Sequence, residues 1–167
     1  NIGDVRIPSV IHCEGASFKV ISVCDSAFSN CADLTSLSLP ETVSNIGNSA
    51  FSSCERLCEI KLPTKIVSMG EGVFSSCLRM SNVVFPEGIA YVPAYTFSGC
   101  TKLRWIRLTD GISSIGKAAF ANCTSLEDIY LPERLALLGE EAFSGCKALG
   151  SLTVPMLVTQ IGKRTFA

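Results

Sequence analysis

With 167 residues, 47% of them hydrophobic and only 17% charged, the chain has the composition of one folded domain and not that of a disordered tail. Lys and Arg number 14 against 15 Asp and Glu, with no basic block or stripe, which excludes the electrostatic footprint of a nucleic-acid binder. No apolar run approaches the roughly 20 residues needed to cross a bilayer, and no charged-then-apolar segment opens the chain. This segment is therefore expected to stay out of the membrane, with any export signal removed or lying outside it.

The first unit, residues 1–27, is irregular. Ile7-Pro8 has the look of Leu39-Pro40 but stands further ahead of it than the period that governs the rest, with a surplus of nine. Val20, Val23, Ala27 and Phe28 rejoin the register, so the surplus falls at about residues 9–19, where a hairpin-like excursion is expected to cap the open end of a sheet.

From there the spacing is strict. Phe28, Phe51, Phe74, Phe97, Phe120, Phe143 and Phe166 follow one another with a constant period of 23, and Cys31, Cys54, Cys77, Cys100, Cys123 and Cys146 keep step. Five further apolar columns share the period, beginning at Leu34, Leu37, Leu39, Val43 and Ile46. The repeats are 28–50, 51–73, 74–96, 97–119, 120–142 and 143–165, with 166–167 opening another. Such a unit has one apolar edge and cannot bury it alone, so the coils must stack and make a core jointly.

Within each unit, alternation like that of Trp105-Ile106-Arg107-Leu108 reads as a short strand with Ile106 and Leu108 inward. Stacked, these strands form a parallel ladder. Pro40, Pro63, Pro86, Pro132 and Pro155 end the strands, with Thr109 as the exception. Gly47, Gly70, Gly116, Gly139 and Gly162 are expected to supply positive φ at the following turn, with Pro93 as the departure. About 12 residues remain per unit for the return path, which predicts 3₁₀ or extended pieces and little α-helix. The single domain is expected to end mid-unit, leaving an exposed edge through which the chain can associate.

The cysteine column tempts a metal or disulfide reading. Cysteines stacked with parallel side-chain directions cannot reach the disulfide torsion, and a linear column offers no four converging ligands, so these thiols are expected to be free and buried. Cys13, Cys24 and Cys58 lie outside the column, and a Cys13–Cys24 link stays open. The run from Gly111 to Lys117 approaches the phosphate-loop pattern but lacks its final Ser or Thr and its helix. His12, the one histidine, has no Ser, Cys or acidic partner that the register identifies, so no triad can be built. Asn122-Cys123-Thr124 satisfies a glycosylation pattern that turn chemistry explains equally well. No cofactor, metal or catalytic site is expected.

The outward side of the ladder remains. One exposed column reads Ser36, Glu59, Asn82, Trp105, Asp128, Ser151; the other reads Ser38, Lys61, Val84, Arg107, Tyr130, Thr153. The sole tryptophan is thus expected beside Arg107, Asp128 and Tyr130, residue types enriched at binding hot spots, with Arg104 and Glu127 as polar neighbours. Trp105 and Tyr130 are the candidate anchors, and Arg104, Arg107, Glu127 and Asp128 the candidate polar contacts. A spacer that only projects another domain is the competing reading, favoured by the bland outward columns of the first two repeats.

The string Ala119-Phe120-Ala121-Asn122-Cys123-Thr124-Ser125-Leu126, continued by Ile129-Tyr130-Leu131-Pro132 and Leu138-Gly139, resembles the BspA-type leucine-rich repeat over about residues 20–167. The resemblance implies a right-handed leucine-rich-repeat coil with its parallel sheet on the concave face. It also implies a secreted or cell-surface setting and adhesion to a host or cell-surface protein or glycan. It carries over no catalytic residue and identifies no partner.

Overall fold

The computed structural model describes residues 3–167. Fifteen short strands and no α-helix make up its regular structure among those residues. Each coil contributes to two parallel ladders. The longer one stacks Asp4–Arg6, Ser36–Ser38 and Glu59–Lys61, and then, as a separate sheet, Asn82–Val84, Trp105–Arg107 and Asp128–Ile129. The second uses two-residue strands: Ser22–Val23, Asn45–Ile46 and Ser68–Met69, then Tyr91–Val92, Ser114–Ile115, Leu137–Leu138 and Gln160–Ile161. The return path is thus extended. Neighbouring strands are offset by one period within the repeats, as in Trp105 beside Asp128, and by more than a period at the start, where Asp4 lies beside Ser36.

Val10–Cys13 and Ala16–Lys19 form an antiparallel hairpin around Glu14 (φ 50°) and Gly15 (φ 79°), the paired positive φ values of a tight hairpin turn. Among the described residues the hairpin strands pair only with each other; Asp4–Arg6 is the strand that begins the longer ladder. At the other end, Ser151–Thr153 forms no strand, and Val154, in a column half-buried at Leu62 and buried at Leu39, Phe85, Leu108 and Leu131, is 37% exposed.

Both ladders break at one boundary, between the coil holding Glu59–Lys61 and the next. Pro93 accounts for the break in the second ladder. At its position in other coils the N–H of Gly47, Gly70, Gly116, Gly139 and Gly162 donates to the preceding coil, at 2.8 to 2.9 Å, and a proline has no such hydrogen.

The glycine column owes its composition to close approach and not to positive φ, as none of those five has one. A Cβ at Gly70 would stand 2.5 Å from Asn48 N, so the coils can touch there only without a side chain. Positive φ sits elsewhere. Ser26, Ser49, Gly72, Tyr95, Ala118, Glu141 and Arg164 have φ of 50° to 61°, and Asn30, Ser53, Ser76, Gly99, Asn122 and Gly145 have 57° to 76°. These two columns flank the phenylalanine on either side.

That flanking geometry turns the N–H groups toward the following coil. Ser49, Phe51 and Ser53 donate to Glu71, Val73 and Ser75, and the same triplet of bonds recurs at every boundary from Ser26 to Ala167. Inside it, the seven phenylalanine rings stack at 5.3 to 5.8 Å between centroids, nearly parallel. Phe51, Phe74, Phe97 and Phe120 are wholly buried, each contributing up to about 3 kcal/mol by burial alone. The cysteines line the next column. Each thiol from Cys54 to Cys146 donates to the phenylalanine carbonyl of the previous coil, at 3.0 to 3.2 Å. A small apolar residue with one weak donor fits that place, which serine fills only by burying a more strongly hydrated group.

Candidate functional site

The strand Trp105–Arg107 turns Ile106 into the core and its two ends outward, and the turn after Ile129 does the same for Tyr130. Trp105 lies directly beside Asp128 on one side and Asn82 on the other, and Arg107 lies beside Val84. Four residues therefore make a checkerboard: the two aromatics on one diagonal, the Arg107 guanidinium and the Asp128 carboxylate on the other. Trp105 is 47% exposed and Tyr130 60%, large values for residues of their size.

These four line an open groove of about 770 Å³. Arg104 and Glu127 are absent from its wall. Arg104 Nε and Nη2 both donate to Glu127 Oε1, at 3.1 and 2.8 Å, so the pair is closed on itself across two coils and well exposed. Such a pair adds little stability. The groove adds Val84, 60% exposed, and three residues from the turn that follows the strands: Glu87, Thr109 and Asp110. Sequence reasoning places Val84 outward and marks Thr109 as the missing proline, but passes over Glu87 and Asp110. The signal was present at Thr109, the position where the prolines fail. Its hydroxyl oxygen is buried without a hydrogen-bond partner among the described residues.

The chemistry elsewhere is sparse. All nine cysteines are free, and Cys13 and Cys24, unbridged, are both exposed. Burial pushes the thiols of Cys54 and Cys146 up to about 11 and those of Cys77, Cys100 and Cys123 further still, so none of the five is a ready nucleophile. His12 has a serine partner that the register does not identify, because the hairpin sets Ser17 Oγ 2.9 Å from its Nδ1. Both are exposed, and no carboxylate bonds the other ring nitrogen among the described residues. This is half of a triad without walls. Lys117, at the end of the phosphate-loop-like run, donates instead to Glu140 at 3.0 Å, a bond that raises the lysine pKa and lowers the glutamate's. Among the described residues no three His, Cys, Asp or Glu side chains are grouped to hold a metal, and no helix is long and apolar enough to cross a membrane.

Comparison with known proteins matches residues 16–94 and 72–167 to the BspA type leucine rich repeat region, in six copies. Three solved structures are similar along most of the chain. A leucine rich repeat protein of T. pallidum is 28% identical with a TM-score of 0.70, covering 89% of this chain and 78% of its own. A leucine rich cell surface protein of Faecalibacterium prausnitzii A2-165 is 25% identical with a TM-score of 0.67, covering 95% of this chain and 47% of its own. A leucine-rich repeat protein of Bacteroides ovatus is 25% identical with a TM-score of 0.58, covering 96% and 54%. The chain thus spans about half the length of the last two. No curated protein matches it.

Proposed function

Because the chain belongs to the BspA type leucine rich repeat family, we propose that it is a non-catalytic binding module of a cell surface, holding a protein or glycan on the outward side of its longer ladder. One observation carries the reading. The only tryptophan in the chain and an exposed tyrosine meet Arg107 and Asp128 in a single groove. Trp, Tyr and Arg dominate binding hot spots because they offer much contact area for little lost freedom. At the equivalent places in earlier coils stand Ser36, Glu59, Ser38 and Lys61, which offer no such anchor. Those polar positions favour a spacer role for the first coils, with recognition confined to the later ones. The cell-surface setting is supported by the similar F. prausnitzii protein, which is described as a cell surface protein.

The test is binding of the chain and its Trp105→Ala variant to an array of host matrix proteins and glycans, each followed by a fluorescein label on the probe, with tryptophan fluorescence as a second readout for the unsubstituted chain alone. A hit weakened about 30-fold or more by the substitution supports the groove as an adhesive site. Binding that the variant retains, or none to any probe, returns the whole chain to the spacer reading.

A further inference from the structure

We infer that the groove selects a basic, extended peptide segment, seating an arginine or lysine side chain between Trp105 and Tyr130. This rests on the groove being a binding site and adds the chemistry of its ligand. Three carboxylates line it, Glu87, Asp110 and Asp128, against the single cation of Arg107. None of the four has a side-chain hydrogen bond or ion-pair partner among the described residues. The contrast within one column is direct. Glu41 occupies the position of Glu87 and Asp110 two and three coils earlier, and there its carboxylate accepts from Thr64 N and Oγ1 at 3.1 and 3.0 Å. Glu87 instead stands next to Asp110 in the stack, and Glu133 occupies the following position. Like charges stacked on neighbouring coils oppose folding, so their negative field is left for something outside the chain.

The aromatics define what that something presents. Diagonal neighbours on a sheet are rooted about 8 Å apart, room for one flat guanidinium or an ammonium between two rings. A cation over an indole or phenol face gains from the ring quadrupole, and neighbouring carboxylates add to that attraction. Arg107, the groove's own cation, opposes such a ligand and sets its affinity. This gives a sign that separates the basic ligand from a sugar, since an oligosaccharide would lose a hydrogen-bond donor with Arg107.

The experiment titrates the chain with three short fluorescein-labelled probes: a peptide of alternating arginine and glycine, the same peptide with glutamate for arginine, and a neutral oligosaccharide. Expected are binding of the arginine peptide alone and weakening by about tenfold or more in the Asp110→Asn/Asp128→Asn double variant. Trp105→Ala should weaken it about 30-fold, and Arg107→Ala should tighten it several-fold. Binding should also fall as salt rises from about 0.1 to about 1 M, where the screening length shrinks from about 10 to about 3 Å. All four residues are exposed, and an unchanged thermal transition confirms that each variant folds. Failure of the arginine peptide to bind, indifference to the Asp→Asn changes, or weakening by Arg107→Ala overturns the inference. If the oligosaccharide or glutamate peptide binds through Trp105 in its place, the groove survives as a binding site and only its basic ligand is lost.

Discussion

The face that carries the phenylalanines and the two faces that carry strands are joined in different ways. On the strand faces, coils pair through stretches of two or three residues, and both ladders are interrupted at one boundary. On the phenylalanine face no residue is extended in a strand, yet its triplet of backbone bonds crosses every boundary, including the one where the ladders break. The continuous seam of the solenoid is therefore the irregular-looking one. Two left-handed residues per coil set its peptide planes, stacked rings fill the space behind it, and thiols add a second bond to the phenylalanine carbonyls. The difference teaches that in a stacked coil, cohesion follows the density of bonds between coils and not the presence of named secondary structure.

Alkali should attack that seam hardest. A thiol in the unfolded chain ionises near 9, while Cys54 and Cys146 hold their protons to about 11 and Cys77, Cys100 and Cys123 beyond it. Folded pKa values raised above unfolded ones mean that the stabilisation is full below pH 9 and drains as pH climbs through the folded values. The buried Cys100 and Cys123, both held protonated by desolvation, should contribute most to that loss. Urea midpoints taken across that range should fall steeply, and less steeply in Cys100→Ala; a flat profile would mean that the column is open to solvent.

Phe97→Ala removes a wholly buried ring from the middle of the stack and should cost about 3 to 5 kcal/mol in denaturant unfolding. Ser38→Ala, outward on the longer ladder, should leave the midpoint where it was, and equal losses in the two would erase the distinction between faces. Gly70→Ala probes the strand faces, where the new Cβ would meet Asn48 backbone; overpacking of this kind should cost about 1 to 3 kcal/mol. Ser49→Gly goes the other way. Its φ of 51° burdens a side chain that the next coil dispenses with at Gly72, so the variant should gain up to about 1 kcal/mol. A loss at position 49 would show that the left-handed columns are relaxed and not held by their bonds.

Much of this was legible in the sequence because burial repeats. The apolar columns, the phenylalanine spine and the outward places of Trp105, Arg107, Asp128 and Tyr130 all follow from one unbroken period. Conformation was less legible than burial. Ser, Tyr, Ala, Glu and Arg share one left-handed position, so residue type gives no signal there, and the bonds from neighbouring coils impose it. The glycine column was visible, but its reason was read as φ when the constraint is distance to the coil beneath. Two-residue strands such as Leu137–Leu138 are too short to show a period of two. Arg104 and Glu127, expected as polar neighbours of the aromatics, bond each other and do not line the groove, whereas the turn carboxylates Glu87 and Asp110 do. Those lie after the strand, outside the alternation that pointed to the other four.

One consequence of the phenylalanine face concerns direction. Its N–H groups point toward the following coil and the carbonyls that receive them point back, so the peptide dipoles on that face align along the stack much as they do in a helix. That face is electrically polar, positive toward the later coils. A further coil joins either end with its dipoles in series only when it arrives head to tail; set head to head, donor would face donor. Growth of such an array by repetition of one unit, and its resistance to stacking in the opposite sense, are written into the same backbone torsions that seat the rings.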